Sequence, residues 1–258
     1  MQHVHSPTGA NVSYVTYGRG PPLVLVHGGF SDHETNWEFV KPLLEPHFTV
    51  HAVARRGRGS TKTPAGHTLA DEGRDVAALI EAIGEPVFLL GHSYGGQVAL
   101  SAAAHSPDGV RKLVLYEPPW PSALSPELLA TLETLARDGR WDDMAITFFR
   151  DGLSVPADEL AALRASDLWP PIVGDAEASL GDMRALVRHD FDPTRFRTFG
   201  SPVLLQVGEH SPREPYVTEA LAAVFPDARI EVLEGQAHEG MTTAPEAYTA
   251  SVTRFLLG

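Results

Sequence analysis

Cysteine is absent from this 258-residue sequence, which therefore can form neither a disulfide framework nor a thiolate metal site. Long apolar runs are also missing, because nowhere do about 18 apolar residues follow one another, the length that a membrane-spanning helix requires. Residues 1–15 carry no basic start followed by an apolar stretch, which is the pattern of a secretory signal. These absences predict a soluble cytoplasmic protein without a membrane partner.

Basic residues are also scarce. Lys and Arg together number 20 against 33 Asp and Glu, which gives a formal net charge of −13. General binding to nucleic acid depends on Lys and Arg side chains that neutralise phosphates, so this balance argues against it. An acidic, solvated surface accounts for the charge.

Apolar segments that resemble strands alternate with segments of helical periodicity. Val12–Tyr17 alternates apolar and polar residues, which predicts an outer antiparallel strand. Further strands are predicted at Leu23–Val26, Phe48–Val53, Val87–Leu90, Lys112–Tyr116, Pro202–Val207 and Arg229–Leu233. Helices are predicted at Asn36–Leu44, Leu69–Ile83, Gln97–Ala104, Tyr216–Val224 and Pro245–Leu257. This alternation predicts an α/β fold with a mostly parallel sheet that is covered on both faces.

The segment Glu117–Gly200 interrupts the alternation, since it contains only helical pieces. These are Pro126–Arg137, Asp142–Phe149, Asp158–Leu168 and Ala176–His189. We therefore expect an α/β core formed by residues 1–117 and 200–258, with a helical insertion at 118–199. The insertion carries several large apolar side chains: Trp120, Leu124, Trp141, Phe148, Phe149, Leu168 and Trp169. Apolar side chains at helical spacing more often form a core than a binding site. Taken together, these side chains predict a small to medium apolar substrate.

A G-x-S-x-G pattern, Gly91–Gly95, lies between the strand Val87–Leu90 and the helix that follows it. This strand–turn–helix context is the one in which the pattern marks a nucleophile. The tight turn strains the backbone of Ser93 and presents its Oγ outward. The amide of Tyr94 then lies at a helix N-terminus, where negative charge is favoured. The pattern predicts Ser93 as a nucleophile and the Tyr94 amide as an oxyanion donor.

Four pieces occur in a characteristic order: an HGG turn at His27–Gly29, an R-G-x-G turn at Arg56–Gly59, the Ser93 turn, and a G-x-x-H at Gly235–His238. With these pieces the chain resembles, over nearly all its length, the α/β-hydrolase fold superfamily, in particular its single-domain serine hydrolases with a helical cap. The resemblance implies an eight-stranded, mostly parallel sheet. It also implies that His238 lies over Ser93 as the general base and that the Gly29 amide is the second oxyanion donor.

The acid that would orient His238 departs from the usual family pattern. That pattern is G-x-x-D after a late strand, but here it reads Gly208–Ser211 (GEHS), with Ser in place of Asp. Some haloalkane dehalogenases carry the acid at the end of the preceding strand of the sheet instead. Glu117 occupies that position, at the carboxyl edge where catalytic groups gather. We predict Glu117 as the acid, with Glu209 as the alternative.

These residues together predict a serine hydrolase that cleaves a small to medium apolar carboxylic ester, thioester or lactone through an acyl-enzyme. The alternative is a non-hydrolytic use of the same fold, as a carbon–carbon lyase, a cyclase-like enzyme or a ligand-binding module. Ser93 argues against dehalogenase and epoxide-hydrolase chemistry, which use a carboxylate nucleophile. The sequence implies no cofactor and no metal, a small-molecule substrate as partner, and a monomer or homodimer.

Overall fold

The structure, a computed structural model, describes residues 1–62 and 66–258. Its eight strands are β1 (Gln2–His5), β2 (Asn11–Gly18), β3 (Pro22–Val26), β4 (Thr49–Ala54), β5 (Val87–His92), β6 (Val110–Tyr116), β7 (Val203–Gly208) and β8 (Ala228–Leu233). They form one sheet in the order β1-β2-β4-β3-β5-β6-β7-β8. Pairs β1–β2 and β2–β4 are antiparallel and the others are parallel. The prediction of an eight-stranded, mostly parallel α/β fold is confirmed.

Helices flank this sheet and also fill the segment between β6 and β7. Those outside that segment are α1 (Lys41–Leu44), α2 (Leu69–Ile83), α3 (Tyr94–His105), α9 (Thr218–Ala222), α10 (Gly240–Thr243) and α11 (Pro245–Leu257). Those within it are α4 (Pro126–Arg137), α5 (Trp141–Thr147), α6 (Ala157–Arg164), α7 (Trp169–Gly174) and α8 (Ala176–Val187). A π-helical turn, Phe148–Gly152, follows α5 directly.

Helix α2 has the bounds that the sequence predicts, because both of its ends carry strong local signals. Thr68 accepts a hydrogen bond from the Asp71 amide, and the Asp71 side chain accepts one from the Thr68 amide, which forms a capping box. At the other end Gly84 has φ 82°, the left-handed conformation in which glycine commonly ends helices. Helices α4 and α11 also match their predicted bounds.

The predicted helix Asn36–Leu44 is wrong as one continuous element. The chain instead forms a 3₁₀ turn, Thr35–Trp37, and the short helix α1. Pro42 explains the break, since a proline fits the first turn of a helix but disrupts a helix that runs through it. The apolar periodicity still identified the correct face, because Trp37, Val40 and Leu44 are buried.

Two apolar clusters cover the two faces of the sheet, as the alternation of side chains in a strand requires. Within β3, Val24 and Val26 belong to one cluster, whereas Leu23 and Leu25 belong to the other. A third cluster lies among α4–α8 and also includes Phe30. The helical segment therefore has apolar packing of its own. None of the described helices is long and apolar enough to cross a membrane.

Candidate active site

The turn at Ser93 joins the end of β5 to the start of α3 at the carboxyl edge of the sheet. Ser93 has φ 53° and ψ −126°, a backbone conformation that residues other than glycine rarely adopt. Its amide donates to the Tyr116 carbonyl at 2.8 Å, and its carbonyl accepts from the Gly96 amide at 2.8 Å. These hydrogen bonds to β6 and α3 hold the strained turn in place, so the Cα and Cβ atoms of Ser93 have a fixed position.

The glycines beside Ser93 are required by close approach of the backbone. A Cβ at Gly91 would lie 2.5 Å from the Gly95 carbonyl oxygen, and a Cβ at Gly95 would collide with the carbonyls of Val26 and His27. Larger residues at either position would push α3 away from β3 and β5. Close packing of α3 against β3 and β5 therefore explains both glycines of the pattern.

The Glu117 carboxylate is fully buried at the end of β6, where the residue has φ 49°. One oxygen, Oε2, lies 2.6 Å from His238 Nδ1, and the other accepts from the Gly208 amide at 2.7 Å. The Ser211 hydroxyl also contacts this carboxylate, and the Tyr216 hydroxyl lies 3.2 Å from His238 Nδ1. Burial raises the pKa of Glu117, but these hydrogen bonds and the charge of His238 outweigh burial and hold the pKa below its ordinary value.

The His238 ring is held by groups on several sides. It stacks on the Tyr216 ring, with a centroid distance of 5.5 Å and an interplanar angle of 10°. His92 Nε2 donates to the His238 carbonyl at 3.0 Å, and the Tyr116 hydroxyl donates to the Ala237 carbonyl. Burial lowers the pKa of His238, but the hydrogen bond and charge of Glu117 outweigh burial and raise it above the ordinary value.

His92 supports the His238 loop as a neutral side chain. It is buried, and burial together with the nearby His238 holds its pKa well below the usual range. A second buried histidine, His27, behaves similarly within the HGG turn: its Nδ1 donates to the Gly28 carbonyl at 2.8 Å. Burial, followed by the charges of Arg55 and Arg58, lowers the pKa of His27. Both histidines therefore position backbone rather than carry charge.

The amides of Gly29 and Tyr94 belong to two rigid turns that border one cavity. Tyr94 is the first residue of α3, so its N–H group has no acceptor within the helix. Gly29 is fixed from both sides, since the Gly28 amide donates to Asn36 Oδ1 at 2.9 Å and the Phe30 amide donates to Ser179 Oγ at 2.6 Å. Both turns therefore lie at the cavity that Ser93 also lines.

A buried ion-pair network ties these turns to helix α8. Arg55 contacts Glu72 at 2.9 Å and Asp182 at 2.7 Å, and Arg58 contacts Asp182 at 2.8 Å. The Tyr94 hydroxyl donates to Glu72 at 2.8 Å, which connects the network to α3. The basic RRGRG stretch is thus turned inward and paired with acids.

The cavity above Ser93 holds about 960 Å³ of empty space, including its open mouth. Ser93, His238, Gly29 and Tyr94 line it, whereas Glu117 lies behind His238. Most of the other lining residues are apolar or aromatic: Phe30, Pro119, Ala123, Leu124, Phe148, Phe149, Leu153, Met183, Leu186, Pro212, Pro215 and Tyr216. The alternative acid, Glu209, is exposed and accepts a hydrogen bond from the Gly235 amide at 2.8 Å instead.

The apolar residues predicted to select substrate divide into two groups. Leu124, Phe148 and Phe149 line the cavity. Among the described residues, Trp141 and Trp169 pack in the third apolar cluster outside that lining, Trp120 packs against the sheet, and Leu168 is exposed. Periodicity could not separate these groups, because both uses produce the same spacing.

Sequence reasoning missed several groups that surround the predicted residues. Tyr216, Asp182 and Glu239 line the cavity, and Ser211 contacts Glu117. Ser211 carried a signal, because it stands where the family places an Asp. Glu239 also carried one, since it directly follows His238. Tyr216 and Asp182 had none, because only the folded chain brings them to the site.

Within residues 1–62 and 66–258, two groups of side chains each bring three potential metal-ligating atoms within 4.8 Å of one another: His92 with His238 and Glu239, and His67 with Glu72 and Asp182. In the first group His238 Nδ1 already contacts Glu117. In the second, Arg55 bridges the two carboxylates. In each group, therefore, at least one potential ligand already has a hydrogen-bond or ion-pair partner.

Comparison with known proteins identifies the family. The model of the alpha/beta hydrolase family matches residues 23–251, so the chain belongs to this family. It is 28% identical to 2-(acetamidomethylene)succinate hydrolase from Mesorhizobium japonicum, over 93% of this chain and 89% of that protein. It is 29% identical to the pimeloyl-[acyl-carrier protein] methyl ester esterase of Nitrosomonas europaea, over 93% of this chain and 98% of that one.

Among solved structures, an alpha/beta hydrolase from Sphaerobacter thermophilus is 32% identical. It superposes with a TM-score of 0.86 over 99% of this chain and all of that one. Family membership and these relatives support a hydrolytic role acting on a small molecule.

Proposed function

We propose that this chain is a serine hydrolase, similar to carboxylesterases, that cleaves a small to medium apolar carboxylic ester, thioester or lactone. Ser93 is the nucleophile, His238 the general base and Glu117 the acid that orients it. The backbone amides of Gly29 and Tyr94 form the oxyanion hole. The observation that carries the proposal is the 2.6 Å contact between the buried Glu117 carboxylate and His238 Nδ1, beside a cavity that Ser93 also lines.

The chemistry follows from the position of each group. Glu117 accepts the Nδ1–H of His238, which leaves Nε2 free to take the proton of Ser93 Oγ as it attacks the carbonyl carbon. The carbonyl oxygen becomes an oxyanion and accepts from the amides of Gly29 and Tyr94. Collapse breaks the bond to the leaving group, which takes the proton from His238. Water then attacks the acyl-enzyme by the same route and releases the acid.

Residues 118–199 act in this proposal as a cap that contains α4–α8 and shapes the acyl pocket. Its apolar cluster is separate from the two clusters of the sheet, and it supplies Leu124, Phe148 and Phe149 to the cavity. Apolar walls with few polar groups are typical of pockets that bind apolar ligands. The cap therefore determines acyl-chain length, and the core provides the chemistry.

The names of the relatives point to different substrates. The Nitrosomonas europaea protein is named for a methyl ester, which agrees with an ester substrate here. The Mesorhizobium japonicum protein is named for a succinate derivative. The described lining of this cavity includes the acids Asp182 and Glu239 and no Lys or Arg that would pair with a succinate carboxylate. We therefore propose that this chain, like the Nitrosomonas europaea protein, cleaves an ester, and that its substrate carries no acidic group like that of the Mesorhizobium japonicum protein.

The proposal is tested with p-nitrophenyl esters of increasing acyl length, assayed with the parent protein and Ser93→Ala. The parent should turn over one range of chain lengths, and Ser93→Ala should retain only the residual rate that oxyanion hole and binding supply. Circular dichroism should show an unchanged fold. Turnover that survives in Ser93→Ala would refute the serine mechanism, and no turnover of any ester would favour a lyase, a cyclase-like enzyme or a binding module.

A further inference from the structure

Glu239 is a carboxylate of the cavity for which the proposed chemistry has no use. It follows His238 directly, and one of its oxygens lies within 4.8 Å of ligating nitrogens of His92 and His238. Its backbone is fixed at the start of α10, because its carbonyl accepts from the amides of Thr242 and Thr243 at 2.8 and 3.0 Å. The exposed side chain therefore extends from a fixed backbone position at the cavity wall.

Of the two acidic side chains among the described residues that line the cavity, Glu239 is the one without a Lys or Arg partner. Asp182, the other acid of the lining, contacts Arg55 and Arg58 with both oxygens at 2.7–3.0 Å. Glu117 lies behind His238 and is satisfied by His238 and the Gly208 amide. Among the described lining residues no Lys or Arg faces Glu239. A substrate consequently meets one unpaired carboxylate.

The position of Glu239 assigns that carboxylate to the leaving-group side. In the proposed mechanism His238 must reach the leaving oxygen to protonate it. Glu239 adjoins His238, whereas the apolar residues of the insertion form the wall on which an acyl chain would pack. We propose that Glu239 selects the charge of the leaving group, so that the site prefers a cationic, ammonium-bearing alcohol to its uncharged isostere and disfavours an anionic one. This inference rests on the proposed function.

The size of the preference follows from electrostatics at short range. A cation about 5–6 Å from an unpaired carboxylate in a partly screened site is favoured by on the order of tenfold in binding. The same carboxylate disfavours an anionic leaving group by a similar factor. Because the cavity is open to solvent, added salt should reduce both effects. A purely structural role of Glu239 would produce no such dependence on salt.

The experiment compares butyrylcholine with 3,3-dimethylbutyl butyrate, which has the same shape but carbon in place of the charged nitrogen. The parent protein should show a kcat/KM ratio of about ten in favour of the choline ester. Glu239→Gln keeps the shape and removes the charge, so the ratio should fall towards one. Glu209→Gln removes a nearby exposed carboxylate outside the cavity lining and should leave the ratio unchanged. A second pair compares 4-carboxyphenyl butyrate, whose leaving group is anionic, with the uncharged 4-carbamoylphenyl butyrate. The parent should show the higher kcat/KM for the uncharged ester.

Binding of choline and of 3,3-dimethylbutanol, measured by calorimetry, tests the inference without turnover. Choline should bind more tightly to the parent, and this preference should disappear in Glu239→Gln. Equal binding of the two alcohols in the parent, or a preference that persists in Glu239→Gln, would overturn the inference even if esters are hydrolysed. Selective choline binding without any ester turnover would instead overturn the proposed function and leave the role of Glu239 supported.

Discussion

Replacing Glu117 with Gln tests the proposed acid through its hydrogen bonds. In the structure both carboxylate oxygens accept, one from the Gly208 amide at 2.7 Å and one from His238 Nδ1 at 2.6 Å. A Gln side chain has only one oxygen and therefore cannot accept at both positions. If its oxygen remains at Gly208, its NH₂ group faces His238 Nδ1. His238 then accepts at Nδ1 and carries its proton on Nε2, which can no longer take the Ser93 proton.

The expected loss of kcat in Glu117→Gln is large, because every catalytic cycle needs the His238 tautomer that carries its proton on Nδ1. The equivalent acid-to-amide change in a serine protease lowers kcat about 10⁴-fold, or about 5.4 kcal/mol in activation free energy. The opposite orientation of the Gln would place two donors against each other at Gly208. We therefore expect a loss of about 10⁴ in kcat, with little change in KM for an apolar ester.

The acid limb of the pH profile provides a second measurement on the same variant. His238 must be neutral to act as a base, and Glu117 raises its pKa above the ordinary value of 6.5. The kcat/KM of the parent should therefore fall as pH decreases through a value above 6.5. In Glu117→Gln the chief cause of the raised pKa is gone, so the limb of the residual activity should move to lower pH.

The matched control for Glu117→Gln is Glu209→Gln, which changes an exposed carboxylate that bonds the Gly235 amide. It should retain most activity and an unchanged pH profile. If Glu209→Gln caused the larger loss, the acid would lie after β7 and the assignment of Glu117 would be refuted. If neither change lowered kcat by more than about tenfold, Ser93 and His238 would work as a dyad.

Two further experiments, each with a control variant, test the ion-pair network and the cavity wall. Asp182→Asn removes the buried carboxylate that Arg55 and Arg58 share and leaves them only Glu72 and Asp175, so urea denaturation should show a loss of about 3 kcal/mol in unfolding free energy; the same change at the exposed Asp151 should not move the midpoint. Phe149→Ala removes a ring from the cavity wall and should shift the acyl-length preference towards longer esters, whereas Trp141→Ala should lower stability without that shift. If Trp141→Ala shifted the acyl-length preference as Phe149→Ala does, both rings would belong to the pocket. An unchanged urea midpoint for Asp182→Asn would contradict the stabilising role of the ion-pair network.

The fold was largely predictable because its strands are short apolar runs with turns at each end. The strand β5, for example, is buried throughout, and only its bounds differ from the prediction. The strand β1 was missed because its four residues are mostly exposed and carry no apolar alternation; it is held by pairing with β2 and by Val4, which packs against one of the apolar clusters of the sheet. The predicted helix Asp158–Leu168 was too long, since α6 ends at Arg164 and a separate helix begins at Trp169.

The candidate site was predictable only where a residue belongs to a local pattern. Ser93 is identified by the glycines that its turn requires, and Glu117 by its position at the end of an apolar strand. The Tyr216 ring stacked on His238 lies in a segment without such a pattern, so its contact depends on tertiary structure. The same holds for Asp182, whose pairing with Arg55 spans 127 residues of sequence.

Labelling with a fluorophosphonate tests most directly the central claim, that Ser93 is an activated nucleophile. The parent protein should gain the mass of one phosphonyl group, and peptide mapping should locate it on Ser93. Ser93→Ala should take up none, and Glu117→Gln should react far more slowly because His238 is then in the wrong tautomer. A parent protein that stays unlabelled, or a label on any residue other than Ser93, would contradict the account.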